Sequence, residues 1–171
     1  MRRLGTPLAF TVLVVRLFQL QAVQGADYAA IAYELMPFDP NVRSLDDAMA
    51  LAAGAAAPNG GIAIDTWHMG KLGIAPDELR RIPLEDLAWV ELSDGQHETM
   101  PDPVDETINH RRLPGEGEFE VAAYVEVLRD HGYPGPWGVE VLSEELRNLP
   151  MEEIFRRAYE TTSAQFRAGV A

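Results

Sequence analysis

The sequence predicts an α/β fold built from parallel strands, and three observations carry that expectation. Short apolar runs alternate with helical patterns four times, and prolines and glycines punctuate the junctions between them. Each apolar run also holds an acidic residue near its end, at Glu34, Asp65, Glu91 and Glu140. Strand and helix alternating in this way imply parallel strands joined by right-handed helical crossovers.

The first strand spans 29–35, and Pro37 and Pro40 forbid its continuation, which leaves Glu34 at its far end. Ser44 with Asp47 reads as a capping signal for a helix over 45–53, closed by Gly54 and the Pro58-Asn59-Gly60-Gly61 breakers. The second strand, Gly61 to Asp65, follows at once and ends in the aspartate, with His68 three residues further on. A short helix is expected over 74–81, with Pro76 in its first turn and Pro83 after its end. Leu87 to Leu92 is the third strand, and Ser93-Asp94-Gly95 turns the chain out of it. Residues 96–117 are polar and rich in proline, with no periodicity, and read as one long loop carrying His97, His110, Arg111 and Arg112. Val121, Tyr124, Val125 and Leu128 fall at helical spacing within 119–130, and Gly132 and Pro134 stop that helix. The fourth strand spans 137–142, and a last helix runs from near Pro150 to about Ala168. The acidic pairs at 144–145 and 152–153 read as helix N-terminal charge. Trp67, Trp89 and Trp137 are expected to pack between strands and helices.

Residues 28–171 are thus expected to form one domain. Residues 1–27 stand apart, as an N-terminal helix with Leu8, Val12, Val15 and Leu20 on one side, or as an atypical leader, native or not. Met1-Arg2-Arg3 before the apolar 7–15 stretch resembles a secretory signal, but Arg16 interrupts it early. The stretch is far short of the ~20 residues that span a bilayer.

The formal charge of −13 argues against nucleic acid or an anionic membrane as partner, because either would repel this surface. With no cysteine there is no disulfide, no thiolate nucleophile and no thiolate-held zinc or iron–sulfur site, which fits a cytoplasmic setting. The acids are more informative. Parallel strands present their C-terminal ends to one side, so Glu34, Asp65, Glu91 and Glu140 converge on one mouth of the sheet. Four carboxylates there repel one another unless a cation neutralises them, and an all-oxygen shell suits Mg²⁺ or Mn²⁺.

The runs Tyr33-Glu34-Leu-Met-Pro-Phe38, Ile64-Asp65-Thr-Trp-His68, Trp89-Val-Glu91-Leu-Ser-Asp94, Arg111-Arg-Leu-Pro114-Gly-Glu-Gly117 and Trp137-Gly-Val-Glu140 carry a resemblance. From about Tyr28 onward the chain resembles the C-terminal half of the sugar phosphate isomerase/epimerase family, which belongs to the xylose-isomerase-like TIM barrels. The resemblance implies four (β/α) units of such a barrel and one divalent ion, with Mn²⁺, Mg²⁺, Co²⁺ and Zn²⁺ all open. It implies Glu34, Asp65 and Glu140 as metal ligands, with Glu91 standing where the family often places histidine. Glu34 and Glu140 would also be the acid and base that move the proton next to a substrate carbonyl, through a metal-stabilised enediolate. His68, Arg111 and Arg112 would bind the substrate, a small sugar or keto-polyol. A full barrel of this kind typically has ~250 residues and eight strands, so a homodimer or a complementary N-terminal half is an expected partner. A related dehydratase and a non-catalytic half-barrel that serves only in assembly are the alternatives.

Overall fold

The computed structural model describes residues 31–168; the N-terminal helix or leader expected over 1–27 lies outside the described residues. The described chain runs β1 (Ile31–Glu34), α1 (Leu45–Ala55), β2 (Gly60–Asp65), α2 (Thr66–Leu72), 3₁₀ turns at Pro76–Arg81 and Leu84–Asp86, β3 (Leu87–Leu92), α3 (Pro103–Asn109), α4 (Val121–His131), β4 (Trp137–Val139), α5 (Glu144–Arg147) and α6 (Met151–Ala168). The four strands form one sheet in the order β1-β2-β3-β4, with every pair parallel. This is the α/β arrangement that the alternation predicts.

Side-chain alternation along the strands divides the sheet into two unlike faces. Ile62, Ile64, Val90 and Leu92 are fully buried and share one core with Trp67, Leu79, Val121, Val125 and Leu128 from the helical layer. The intervening positions are small where strands crowd. A Cβ on Gly61 would come 2.7 Å from the Asp86 carbonyl oxygen, and one on Gly138 would meet the Trp89 ring at 3.1 Å. Trp89 therefore lies on the face opposite the helices, 36% exposed, which corrects the expectation that it packs between strand and helix. Trp67 (1% exposed) does pack as expected, and Trp137 stacks edge-on with Tyr133 and Phe166.

Capping sets the helix starts. Ser44 accepts from the Asp47 amide at 3.2 Å and donates to the Asp47 carboxylate at 2.7 Å, so the first turn of α1 closes on itself. Two helices depart from the sequence expectation. α2 follows β2 without a loop because Asp65 is at once the last strand residue and the N-cap of the helix. Gly70 lies inside α2, where a Cβ would stand 2.6 Å from the Phe119 ring. α3 occupies the middle of the segment expected to be a loop. Its apolar pattern is weak because the buried positions are Glu106 and Thr107, while Val104 (54%) and Ile108 (41%) face outward. What starts α3 is the Asp102 cap, whose side chain accepts from the amides of Val104 and Asp105, followed by Pro103. The helix expected over 74–81 is a 3₁₀ turn, and β4 ends three residues earlier than expected.

At the far edge, α6 leaves Met151, Phe155 and Tyr159 largely exposed, at 71%, 66% and 75%, beside an open groove it shares with Val139 and Leu146.

Ile62→Ala should lower stability by roughly 3 kcal/mol because the centre of the core cannot collapse around the cavity. Leu51→Ala, at a 42% exposed position on α1, should cost less than about 1 kcal/mol. Urea denaturation measures both, and equal losses would mean that Ile62 is not at the centre of the core.

Candidate metal centre at the strand ends

Glu34 closes β1, Asp65 closes β2, Glu91 is the penultimate residue of β3, and Glu140 directly follows β4. Asp65 pairs in register with Glu91, so β2 and β3 deliver their acids at one level, while Glu34 pairs with Ala63 on one side and Glu140 lies two residues beyond Gly138, the partner of Glu91, on the other. One carboxylate oxygen from each of the four comes within 4.8 Å of all the others, and a second group of Glu34, Asp65 and His68 meets the same limit.

Asp65 (1% exposed) is the fixed centre. Its Oδ1 accepts from the Trp67 amide at 2.8 Å and the Ser93 hydroxyl at 2.7 Å. Its Oδ2 accepts from Arg111 Nη1 at 2.5 Å. The same Arg111 nitrogen donates to Glu140 Oε2 at 3.0 Å. Thr66 and Ser93 lock the ends of β2 and β3, since the Thr66 hydroxyl donates to the Ser93 carbonyl at 2.6 Å and accepts from the Ser93 amide at 2.9 Å. The Arg111 guanidinium, 4% exposed, lies 4.9 Å from the Trp67 ring centroid and also donates to the Thr107 carbonyl and hydroxyl.

His68 (2% exposed) points Nε2 towards Glu34 Oε1 at 3.1 Å and Asp65 Oδ2 at 3.5 Å, and Arg111 Nη2 lies 3.3 Å from the same nitrogen. One nitrogen cannot both accept from Arg111 and donate to Glu34. Buried Glu34 Oε1 and His68 Nδ1 make no aligned hydrogen bond, so the proximity to Glu34 is not a formed bond. We therefore read Nε2 as the acceptor of Arg111, a choice of tautomer that leaves Glu34 Oε1 without a donor. This orphaned carboxylate oxygen lies among the other carboxylates, where a cation would satisfy it. The four acids therefore fit a divalent ion.

The electrostatics agree. Burial pushes the Glu91 carboxyl up from 4.5 to about 7, reinforced by the nearby Glu140 and Glu34 charges and opposed by the hydrogen bond from Trp89 Nε1. Burial likewise raises Glu140; the Asp65 and Glu34 charges add to the effect, and Arg111 counteracts it.

The structure brings together Glu34, Asp65, Glu91, Glu140, His68 and Arg111. Arg112 is not among them. It follows Arg111 on an extended stretch that pairs with Asp94, so its side chain takes the opposite direction and is exposed. His97 and His110 also stay outside; the His110 ring meets Asp105 at 3.2 Å. Sequence reasoning missed the group that fixes Arg111 in place. Asp94, fully buried, takes the amides of Gly95 and Phe119 on Oδ1 and those of Gly115 and Gly117 on Oδ2, between 2.7 and 3.0 Å. A Cβ on Gly117 would stand 2.3 Å from that carboxylate, which explains the glycine. The sequence showed Asp94 within a Ser-Asp-Gly turn, which is common, and at the end of the Trp89-Val-Glu91-Leu-Ser-Asp94 run, and neither gives it this role.

A profile of the xylose isomerase-like TIM-barrel family matches residues 17–164. The chain belongs to that family. Two relatives named 3-dehydroshikimate dehydratase are 26% identical over 123 residues (Pseudomonas putida) and 27% over 147 residues (Pseudomonas aeruginosa). The matches cover 72% and 86% of this chain but 19% and 23% of those proteins, so the chain spans less than a quarter of their length. Among solved structures, the IolI protein with a bound zinc atom superposes with a TM-score of 0.69 at 22% identity, over 90% of this chain and 54% of that one. The four parallel (β/α) units expected from the sequence are therefore the fold of the described residues, in the manner of part of a xylose isomerase-like TIM barrel, and the cluster lies where the parallel strands of such a barrel end.

Two measurements test the site's electrostatics. Because the folded pKa of Glu91 lies above its ordinary value, ionising it costs stability: nothing below about pH 4.5, more as the pH rises, and the full amount above about pH 7. In a chelator, Glu91→Gln should therefore raise Tm over the parent at about pH 8 and leave it nearly unchanged at about pH 4.5; the same gap at both pH values would mean that the Glu91 carboxyl is not raised. Asp94→Ala strands four amides and should cost on the order of 3 kcal/mol in urea unfolding.

Proposed function

We propose that this chain carries the metal centre of a divalent-metal-dependent isomerase or epimerase that acts on a small sugar or keto-polyol. The observation that supports it is the four-carboxylate cluster with its orphaned Glu34 oxygen. Glu34, Asp65, Glu91 and Glu140 would hold the ion, which supplies Lewis acidity to a substrate oxygen. Four oxygen donors favour Mg²⁺ or Mn²⁺, and with His68 Nε2 facing Arg111 the histidine-containing set is the weaker alternative.

Glu34 and Glu140 come from the two outer strands, β1 and β4, and flank the other acids. An ionised carboxylate on one side takes the proton next to the carbonyl, and a protonated one on the other returns a proton from the opposite face. The raised Glu140 carboxyl suits the protonated role. Arg111 and His68 would orient substrate oxygens, and Phe38, edge-on to His68 at 6.3 Å between centroids, and Trp89 would offer apolar walls. A dehydratase is the second reading, favoured by the two relatives of that name. The same base would take the proton, and the acid would protonate a departing hydroxyl group, releasing water.

The exposed Met151, Phe155 and Tyr159 on α6 support a further role as one half of an assembled barrel, with a second copy or a complementary half as partner. Among the described residues no helix is long and apolar enough to cross a membrane, and we keep the cytoplasm as the setting.

Calorimetric titration of Mn²⁺ into stripped protein tests the centre: Asp65→Asn and Glu140→Gln should each weaken binding by about 10-fold or more, and unchanged affinity in both would remove them from the ligand set. Incubation with ketoses or with 3-dehydroshikimate in D₂O, followed by NMR, separates the two chemistries. Deuterium entering next to the carbonyl of a ketose supports the isomerase, whereas loss of water from the hydroxy acid supports the dehydratase.

A further inference from the structure

Outside the carboxylate cluster, one more ion pair among the described residues is enclosed on both sides. Lys71 on α2 meets Glu106 on α3, with side chains 4% and 6% exposed. The Lys71 ammonium also donates to the Glu98 carbonyl at 2.8 Å and lies 5.6 Å from the Trp67 ring centroid. The other Glu106 oxygen accepts from the Met100 amide at 3.2 Å. Burying two charges in this way stabilises no better than an apolar pair of the same volume, so its value must lie in what it holds in place.

Asp65, His68 and Lys71 follow one side of the chain at three-residue steps, so α2 runs from the metal centre to the ion pair. On α3, Glu106 takes Lys71 while the next residue, Thr107, takes Arg111: its carbonyl accepts from Nε at 2.9 Å and its hydroxyl from Nη2 at 2.8 Å. The ion pair thus fixes α3 against α2, and Thr107 converts that spacing into the position of the Arg111 guanidinium. Four carboxylates and one divalent ion leave two negative charges, and Arg111, bound to Asp65 and Glu140, offsets one of them.

We propose that Lys71 and Glu106 are positioning residues for the metal centre, which hold Arg111 on Asp65 and Glu140 through Thr107. The proposal rests on the metal reading of the cluster, and its test is arranged so that the two can fail separately. Lys71→Met with Glu106→Gln in the full chain removes both charges together and avoids stranding either one. Without metal, the Arg111 Nε–H signal should exchange slowly in the parent and at least about 10-fold faster in the pair variant. With metal, the pair variant and Arg111→Met should each bind Mn²⁺ about 10-fold more weakly, and combining them should weaken it no further. Unchanged Nε–H exchange in a folded pair variant overturns the proposal, as does an effect of the pair that persists in the Arg111→Met background. Failure of the parent to bind Mn²⁺ sinks the metal reading, and the exchange measurement still decides whether the pair positions Arg111. If the pair variant does not unfold cooperatively, Thr107→Val replaces it. That change removes only the hydroxyl, which Nη2 reaches at 2.8 Å and Nε at 3.2 Å, and unaltered Mn²⁺ affinity and Nε–H exchange would overturn the relay.

Discussion

Mutual repulsion among carboxylates is the constraint on which the rest of the described structure depends. A parallel sheet delivers the ends of its strands to one side, and here each end is acidic. Each acid on its own could be accommodated by its local hydrogen bonds or by solvent; brought within 4.8 Å of one another, they raise the free energy of the fold unless something positive enters. Arg111 is that group within the chain, which accounts for its burial, its contact with Trp67 and its support from Thr107 and, through the loop, from Asp94. A single guanidinium cannot balance four carboxylates. The unpartnered oxygen of Glu34 marks the remaining imbalance, and burial, with the neighbouring carboxylate charges added to it, raises the carboxyls of Glu91 and Glu140.

The sequence showed the strands and their acidic ends because both depend on local pattern. A run such as Gly61-Ile-Ala-Ile-Asp65 is apolar until it leaves the sheet, and the topology follows from alternation alone. What it hid was set by contacts distant in the chain. α3 carries its buried face on Glu106 and Thr107, so a search for apolar periodicity passes over it, although the Asp-Pro start was there to be read. α2 was hidden because Asp65 belongs to two elements at once and because Gly70 serves packing against Phe119. Trp89 was misplaced for a similar reason: hydrophobicity does not say which side of a four-stranded sheet a residue occupies.

Arg111 and Arg112 show the same limit at the scale of one residue. Nothing in two adjacent arginines says which enters the site, and the choice follows from the pairing of residue 112 with Asp94. A shift of one residue in that pairing would exchange them. The arginine motif is thus legible as a motif, while the roles within it are a property of the register.

That register is enforced through main-chain groups. The Asp94 carboxylate binds amides of residues 95, 115, 117 and 119 and no side chain in the loop. The positions between, Glu116 and Glu118, face outward, where they meet Arg157 and the His97 amide. A lineage can therefore change the side chains at those positions without disturbing the pairing that places the arginine. The scaffold separates the part of the loop that has to remain from the part that is free to diverge.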